Sequence, residues 1–299
     1  MARAQCNGLE IEYETFGTRE DSPILLIMGL SAQMIAWHTD FCQMLASAGH
    51  FVVRFDNRDV GLSSKMEHLG VPDIAEIMAA LQEKKPVRAP YTLSDMALDV
   101  LGLMDALDLE RAHICGLSMG GMIAQTMAIE HPGRMLSLVS MESTTGEPGL
   151  PAAQPEAGSA LFSAPPLDRE GYIAHMIRVF RSFAGGSSAF DEEMEKTLIG
   201  MAYDRSLYPL GFVRQLAAVL ASGGRREAIR SVSVPALVIH GADDPLLPLE
   251  HGKDTADAIP HAKLLVVKGL GHGFSYPTLW QGIVEAISEH TAGIDQAAG

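Results

Sequence analysis

The sequence predicts an α/β protein in which a mostly parallel sheet is flanked by helices and interrupted by a helical insertion. Three observations carry that prediction. Short continuous apolar runs, Ile24-Leu25-Leu26-Ile27-Met28 and Val234-Pro235-Ala236-Leu237-Val238-Ile239 among them, are what a strand buried on both faces requires. Helical stretches lie between such runs, and strand, helix and strand in succession describe parallel βαβ units. From Ser143 to about Arg230 the rhythm stops: no apolar strand run occurs, Pro and Gly are frequent, and the periodic segments are helical. The chain therefore divides into a first core part over 1–142, a helical cap or lid over 143–230, and a second core part over 231–299.

Each element has its own signal. Leu9 to Phe16 alternates apolar and polar residues as an edge strand does, here in an antiparallel opening hairpin. Ser22-Pro23 introduces the strand that stops at Gly29. A helix over Asp40 to Ser47 is closed by Gly49 before the strand Phe51 to Phe55. Asp56-Asn57-Arg58-Asp59-Val60-Gly61-Leu62-Ser63 is then a structured turn, with Arg58 expected to pair with Asp56 or Asp59. Pro72, Pro86 and Pro90 break up residues 64–91. Thr92 and Asp95 start an amphipathic helix over Met96 to Leu107, which leads to the strand Ala112 to Cys115. After the turn at Ser118, a helix over Met122 to Ile129 ends at His131-Pro132-Gly133, and Met135 to Ser140 is another buried strand. The insertion's helices are expected at Gly171 to Phe183, Phe190 to Met201 and Pro209 to Ala221. Beyond it come a strand ending at His240, a helix over Leu249 to Ile259, a strand over Lys263 to Val267 and a closing helix over Trp280 to His290.

Composition narrows the function. With 37 acidic and 22 basic residues the formal net charge is -15, and the basic residues form no block. Nucleic acid and anionic membrane surfaces are therefore poor partners, and strongly anionic substrates are steered away. The three cysteines, Cys6, Cys42 and Cys115, are odd in number, widely spaced and in apolar surroundings, which suits reduced buried thiols rather than a disulfide frame or a metal site. No leader-like or bilayer-length apolar stretch is present, so a soluble cytoplasmic protein, monomer or homodimer, is expected.

The chemistry gathers around Gly116-Leu117-Ser118-Met119-Gly120-Gly121, which reads as strand, tight turn and helix with a serine at the apex. Small residues on both sides let the chain pass close to itself, and the helix N-terminus aims free N–H groups at the serine. Such a G-x-S-x-G elbow lifts the Oγ clear of the backbone. A serine is a poor nucleophile at neutral pH; it needs a base in hydrogen-bond reach and an acid that fixes the base's tautomer. An acidic residue, Asp243 or Asp244, follows the strand ending at His240, and His272 sits between Gly271 and Gly273 after the next strand. Both loops lie at the carboxyl edge of a parallel sheet, as the elbow does. His240 and His251 are the rival bases, His240 better placed to support the acid's loop. The N–H groups of Met119 and Leu30 are the expected oxyanion hole. Candidate pocket residues are Trp37 and, in the insertion, Phe162, Met176, Phe180 and Phe183, although most of the insertion's apolar side chains must form its own small core. This chemistry calls for neither metal nor organic cofactor.

On Ile27-Met28-Gly29, Trp37, Arg54 to Ser63, Gly116 to Gly120 and Gly269-Leu270-Gly271-His272, the whole chain resembles the α/β-hydrolases, and within them the subgroup that contains the aclacinomycin methylesterases. The match spans both core halves and is weak across the insertion. The resemblance implies the α/β-hydrolase fold, a mostly parallel eight-stranded sheet with an inserted helical cap. It also implies a triad in the order Ser118, Asp244, His272, with Asp244 fitting the family's Gly-x-x-Asp spacing. Hydrolysis of a small-molecule carboxylic ester follows, the methyl ester of a bulky polycyclic compound among the options. Met28-Gly29-Leu30 stands where His-Gly-x is commoner, a change that removes a side chain but leaves the backbone donor. Gly116 to Ala124 is equally similar to 3-oxoadipate enol-lactonases and cofactor-free perhydrolases, so lactone, C–C and perhydrolase chemistry are alternatives, as is a ligand-binding relative without catalysis. Haloalkane dehalogenases and epoxide hydrolases carry Asp at the elbow apex, where this chain has Ser.

Overall fold

The computed structural model describes residues 1–83, 85 and 87–298; Pro86, one of the three expected breaks before Thr92, lies outside the described residues. The strands are β1 Ala2–Cys6, β2 Leu9–Phe16, β3 Ser22–Ile27, β4 His50–Phe55, β5 Ala112–Leu117, β6 Met135–Met141, β7 Ala236–Gly241 and β8 Lys263–Val267. They make an eight-stranded sheet in the order β1-β2-β4-β3-β5-β6-β7-β8. Pairing is antiparallel at β1/β2 and β2/β4 and parallel from β4 onward. The opening hairpin is present, but its first strand, β1, forms the edge and Leu9–Phe16 lies inside it. Asn7 and Gly8, both at positive φ, make the two-residue turn that matches the twist of the flanking strands.

The helices are α1 Thr39–Ser47, α2 Ile74–Gln82, α3 Leu93–Ala106, α4 Met119–Glu130, α5 Pro155–Leu161, α6 Arg169–Phe183, α7 Glu192–Arg205, α8 Pro209–Ser222, α9 Arg226–Ile229, α10 Glu250–Ala258 and α11 Trp280–Ala298. Thr92 and Asp95 cap α3 reciprocally, Asp95 taking the Thr92 N–H at 2.7 Å. Strand β3 shows why the central runs are apolar throughout. Leu25 and Ile27 join one buried cluster with residues of α3 and α4, while Ile24 and Leu26 join a second with residues of α1 and α11. All three cysteines are buried free thiols. Among the described residues no helix is long and apolar enough to cross a membrane. Five helices, α5 to α9, fill the chain between β6 and β7.

The turn after β4 differs from expectation. Arg58 pairs with neither neighbouring aspartate; its Nε and Nη2 each donate to Asp99 of α3 at 2.6 Å. Asp56 already accepts the N–H groups of Met34 and Leu62, and Asp59 that of Met66, so both carboxylates point inward. Their cations come from the inserted helices instead: Arg205 for Asp56 at 2.6 Å and Arg214 for Asp59 at 2.8 Å.

Candidate active site

β5 runs straight into Ser118, whose φ of 56° and ψ of -118° put a non-glycine residue in the left-handed half of backbone space. Two glycines make that turn feasible. A Cβ on Gly116 would collide with the carbonyl of Gly120, and one on Gly120 with the carbonyl of Ile27 at the end of β3. Ser118 keeps partial exposure while Met119, which opens α4, is buried.

The loops after β7 and β8 complete the arrangement. His272 Nε2 lies 3.1 Å from Ser118 Oγ, and its Nδ1 lies 2.8 Å from Asp244 Oδ2. A carboxylate can only accept, so Nδ1 carries the hydrogen and Nε2 presents a lone pair to the serine hydroxyl. Asp244 is fixed in turn by the N–H groups of Leu246 at 2.9 Å and Leu247 at 2.8 Å on its Oδ1. Burial works against the imidazolium of His272, but the charge and hydrogen bond of Asp244 outweigh it and hold the imidazole above its ordinary pKa. Asp243 turns away to accept the Gly269 N–H. His240 braces the acid's loop through Leu247 O at 2.7 Å, and His251 bonds Thr144 and Pro151. Neither rival histidine reaches Ser118 in these contacts.

The loop that carries Leu30 runs beside the elbow. A Cβ on Gly29 would stand 3.2 Å from Ser118 Cβ, so the residue just before Leu30 lies against the serine. Asn57, from the turn after β4, holds the start of this loop by donating to Met28 O at 2.9 Å.

Of the candidate pocket residues, Phe183 stands edge-on to His272 with ring centroids 6.1 Å apart, and Phe180 packs edge-on against Phe183. Met176 joins the same small cluster. Two others sit elsewhere. Phe162 is 60% exposed at the end of α5, because the short helix buries only Ala157. Trp37 is fully enclosed, stacked on Phe41 and edge-on to Phe274 in the core beneath α1 and α11.

One site residue is absent from the sequence reading. Glu142, directly after β6, is fully buried at a φ of 44°. Its Oε2 accepts the Gly273 N–H at 2.7 Å and lies 3.9 Å from His272 Nδ1, while Oε1 has no partner among the described residues. Burial, reinforced by the Asp244 charge, pushes its pKa up to about 8. The signal was available: an acidic residue after a buried strand at the same sheet edge, overlooked because the strand after it offered the expected acid. Glu142, Asp244 and His272 are also a group of potential metal donors, their ligand atoms within 4.8 Å of one another. Hydrogen bonds within the site already engage donor atoms of all three.

A family model described as the alpha/beta hydrolase fold matches residues 22–278. The chain is 28% identical over 298 residues to rhodomycin D methylesterase DauP of Streptomyces sp. (strain C5), covering 93% of each. It is 33% identical over 174 residues to a 2-hydroxy-6-oxononadienedioate/2-hydroxy-6-oxononatrienedioate hydrolase of Cupriavidus pinatubonensis, covering 57% of this chain and 59% of that one. The crystal structure of the enol-lactonase from Burkholderia xenovorans LB400 superposes with a TM-score of 0.71 at 22% identity, covering 97% of this chain and all of that one. With the sheet order, the elbow and a family match that runs from β3 to the loop before α11, the chain belongs to the α/β-hydrolase fold family.

Proposed function

We propose that the protein is a serine carboxylesterase that hydrolyses a neutral, largely apolar carboxylic ester through an acyl-enzyme. The observation that carries this reading is the unbroken path from Asp244 through His272 to Ser118, with links of 2.8 and 3.1 Å. His272 Nε2 takes the hydroxyl proton as Ser118 Oγ attacks the ester carbonyl, and the Leu30 and Met119 N–H groups receive the charge that develops on oxygen. Each such donor stabilises the tetrahedral intermediate by about 3 kcal/mol. His272 then protonates the leaving alcohol, water enters by the same route, and the acid departs. Residues 143–230 act as the cap, with Phe180 and Phe183 supplying an apolar wall beside the imidazole. The methylesterase that aligns over 93% of both chains supports an ester as substrate.

Ser118→Ala protein, folded by circular dichroism, is expected to lose at least about a thousandfold in kcat on p-nitrophenyl acetate. Retained hydrolysis in that variant would sink the assignment. A second reading, hydrolysis of a lactone or a C–C bond with the same three residues, is favoured by the dienedioate hydrolase at 33% identity over 57% of the chain.

A further inference from the structure

The proposed reaction uses one carboxylate, yet two stand beside the imidazole. Glu142 is fully buried at a φ of 44°, and its N–H bonds Ile239 O of β7 at 2.8 Å. A non-glycine residue at positive φ and a carboxyl cut off from water are each unfavourable, and both persist at one position only where the surroundings over-determine them. The surroundings here are the reacting groups. Glu142 accepts the N–H of Gly273, directly after the base, and the next residue, Ser143, donates to Ser118 O at 2.8 Å.

The carboxyl is anchored but not spent. Oε2 holds Gly273 N–H at 2.7 Å and stands 3.9 Å from His272 Nδ1, and Oε1 has no partner among the described residues. Closing the gap to Nδ1 by about 1 Å would give a hydrogen bond of ordinary length, and the terminal torsion of a glutamate is soft enough to allow it. In the intact site nothing drives that closure. Asp244 already takes the Nδ1 hydrogen at 2.8 Å, and burial followed by the Asp244 charge keeps the proton on Glu142. Taking away the Asp244 charge removes the second of those forces and frees Nδ1 at once, while a neighbouring imidazolium favours the carboxylate.

We propose that Glu142 is a second positioning acid for His272: where Asp244 carries no charge, Glu142 accepts the Nδ1 hydrogen, and Nε2 stays free to take the Ser118 proton. This rests on the esterase reading above. One imidazole is then served by carboxyls from two strand ends, β6 and β7.

The test is a double-mutant cycle on p-nitrophenyl acetate at pH 8.5, above the window in which Glu142 holds its proton, with wild type, Glu142→Gln, Asp244→Ala and Asp244→Ala/Glu142→Gln. Asp244→Ala should lose about a hundredfold to a thousandfold in kcat, short of the 10⁴ that an imidazole left in the wrong tautomer costs. Glu142→Gln should cost at least about fivefold more in the Asp244→Ala background than in wild type, a coupling of the size that members of one hydrogen-bond network show. The pH profile separates support of the imidazole from support of the fold. In Asp244→Ala the activity needs both Glu142 and His272 deprotonated, so the acid limb of kcat/KM should lie at higher pH than in the double variant, where a lone buried imidazole sets it. Should Asp244→Ala fail to fold, Asp244→Asn, whose Oδ1 still accepts the Leu246 and Leu247 N–H groups, carries the same comparison with and without Glu142→Gln. A coupling under about fivefold, or an acid limb that stays in place when Glu142→Gln is added, overturns the proposal. Failure of the esterase reading looks different: activity would then survive Ser118→Ala in an otherwise wild-type chain.

Discussion

Glu142 sets a second carboxyl 3.9 Å from the imidazole nitrogen that Asp244 already occupies. Two carboxylates so close, both buried, cannot ionise together without large cost, and the one with the poorer set of hydrogen bonds stays protonated. Asp244 has three donors on it and Glu142 has one. With its pKa pushed up to about 8, Glu142 holds its proton through the acid range, and Asp244 is the main charge on the Nδ1 side of His272. The linkage has a definite sign. The folded state holds the Glu142 proton between the free carboxyl's value of 4.5 and about 8, so stability is greatest below that window and declines as pH rises through it. Glu142→Gln, which cannot ionise, should flatten the fall of Tm between pH 5 and 8. Glu195, pushed by burial to about 7, leaves a residual slope of the same sign. On the esterase reading the acid limb of kcat/KM is set by His272, held above its ordinary value of 6.5 chiefly by Asp244 and in smaller part by Glu142, so it should move only slightly toward acid in the variant. An unchanged Tm slope would contradict this assignment of the proton.

At the scale of elements, the insertion is joined to the core by charges that the fold hides. Arg214 and Asp59 are both essentially inaccessible, and Tyr91 and Tyr208 add hydroxyls to the pair. Arg205 meets Asp56 and also donates to Gln33, which in turn donates to the carbonyls of Ala202 and Ser206. Breaking a buried pair strands a charge, so Arg214→Met should cost about 3–5 kcal/mol in urea unfolding. Asp59→Asn/Arg214→Met should cost less than the sum of its parts, since no charge is left unpaired. A loss under about 1 kcal/mol for the single variant would show the pair to be energetically idle. These links explain what the sequence could not convey. The Thr92–Asp95 cap and the glycines of the elbow act over a few residues and were readable. Arg58 invited pairing with its neighbours but reached Asp99, 41 positions away, and Arg214 lies 155 positions from Asp59. Proximity in sequence says little about a guanidinium on a long flexible stem.

For the whole molecule, the parallel sheet is what made the candidate site legible. Ser118 and His272 are 154 positions apart, yet each follows a strand of one parallel run, so their loops must open on the same edge. The inserted helices obey no such rule: Phe183 reached the imidazole while Phe162 faced solvent, and amphipathic periodicity alone does not distinguish the two outcomes. Substrate choice is thus argued best from the field of the entire chain. A net charge of -15 repels a dianion at long range, and that repulsion is screened as salt shortens the Debye length from ~30 Å at 0.01 M to ~10 Å at 0.1 M. A dianionic enol-lactone or dienedioate should therefore show kcat/KM rising with salt from a low value, whereas a neutral methyl ester should change by less than about twofold. Because the two substrates share one protein and one buffer, the difference in slope isolates the charge. Faster turnover of the dianion than of any neutral ester, at low salt where repulsion is strongest, would transfer the assignment to the lactone or C–C reading.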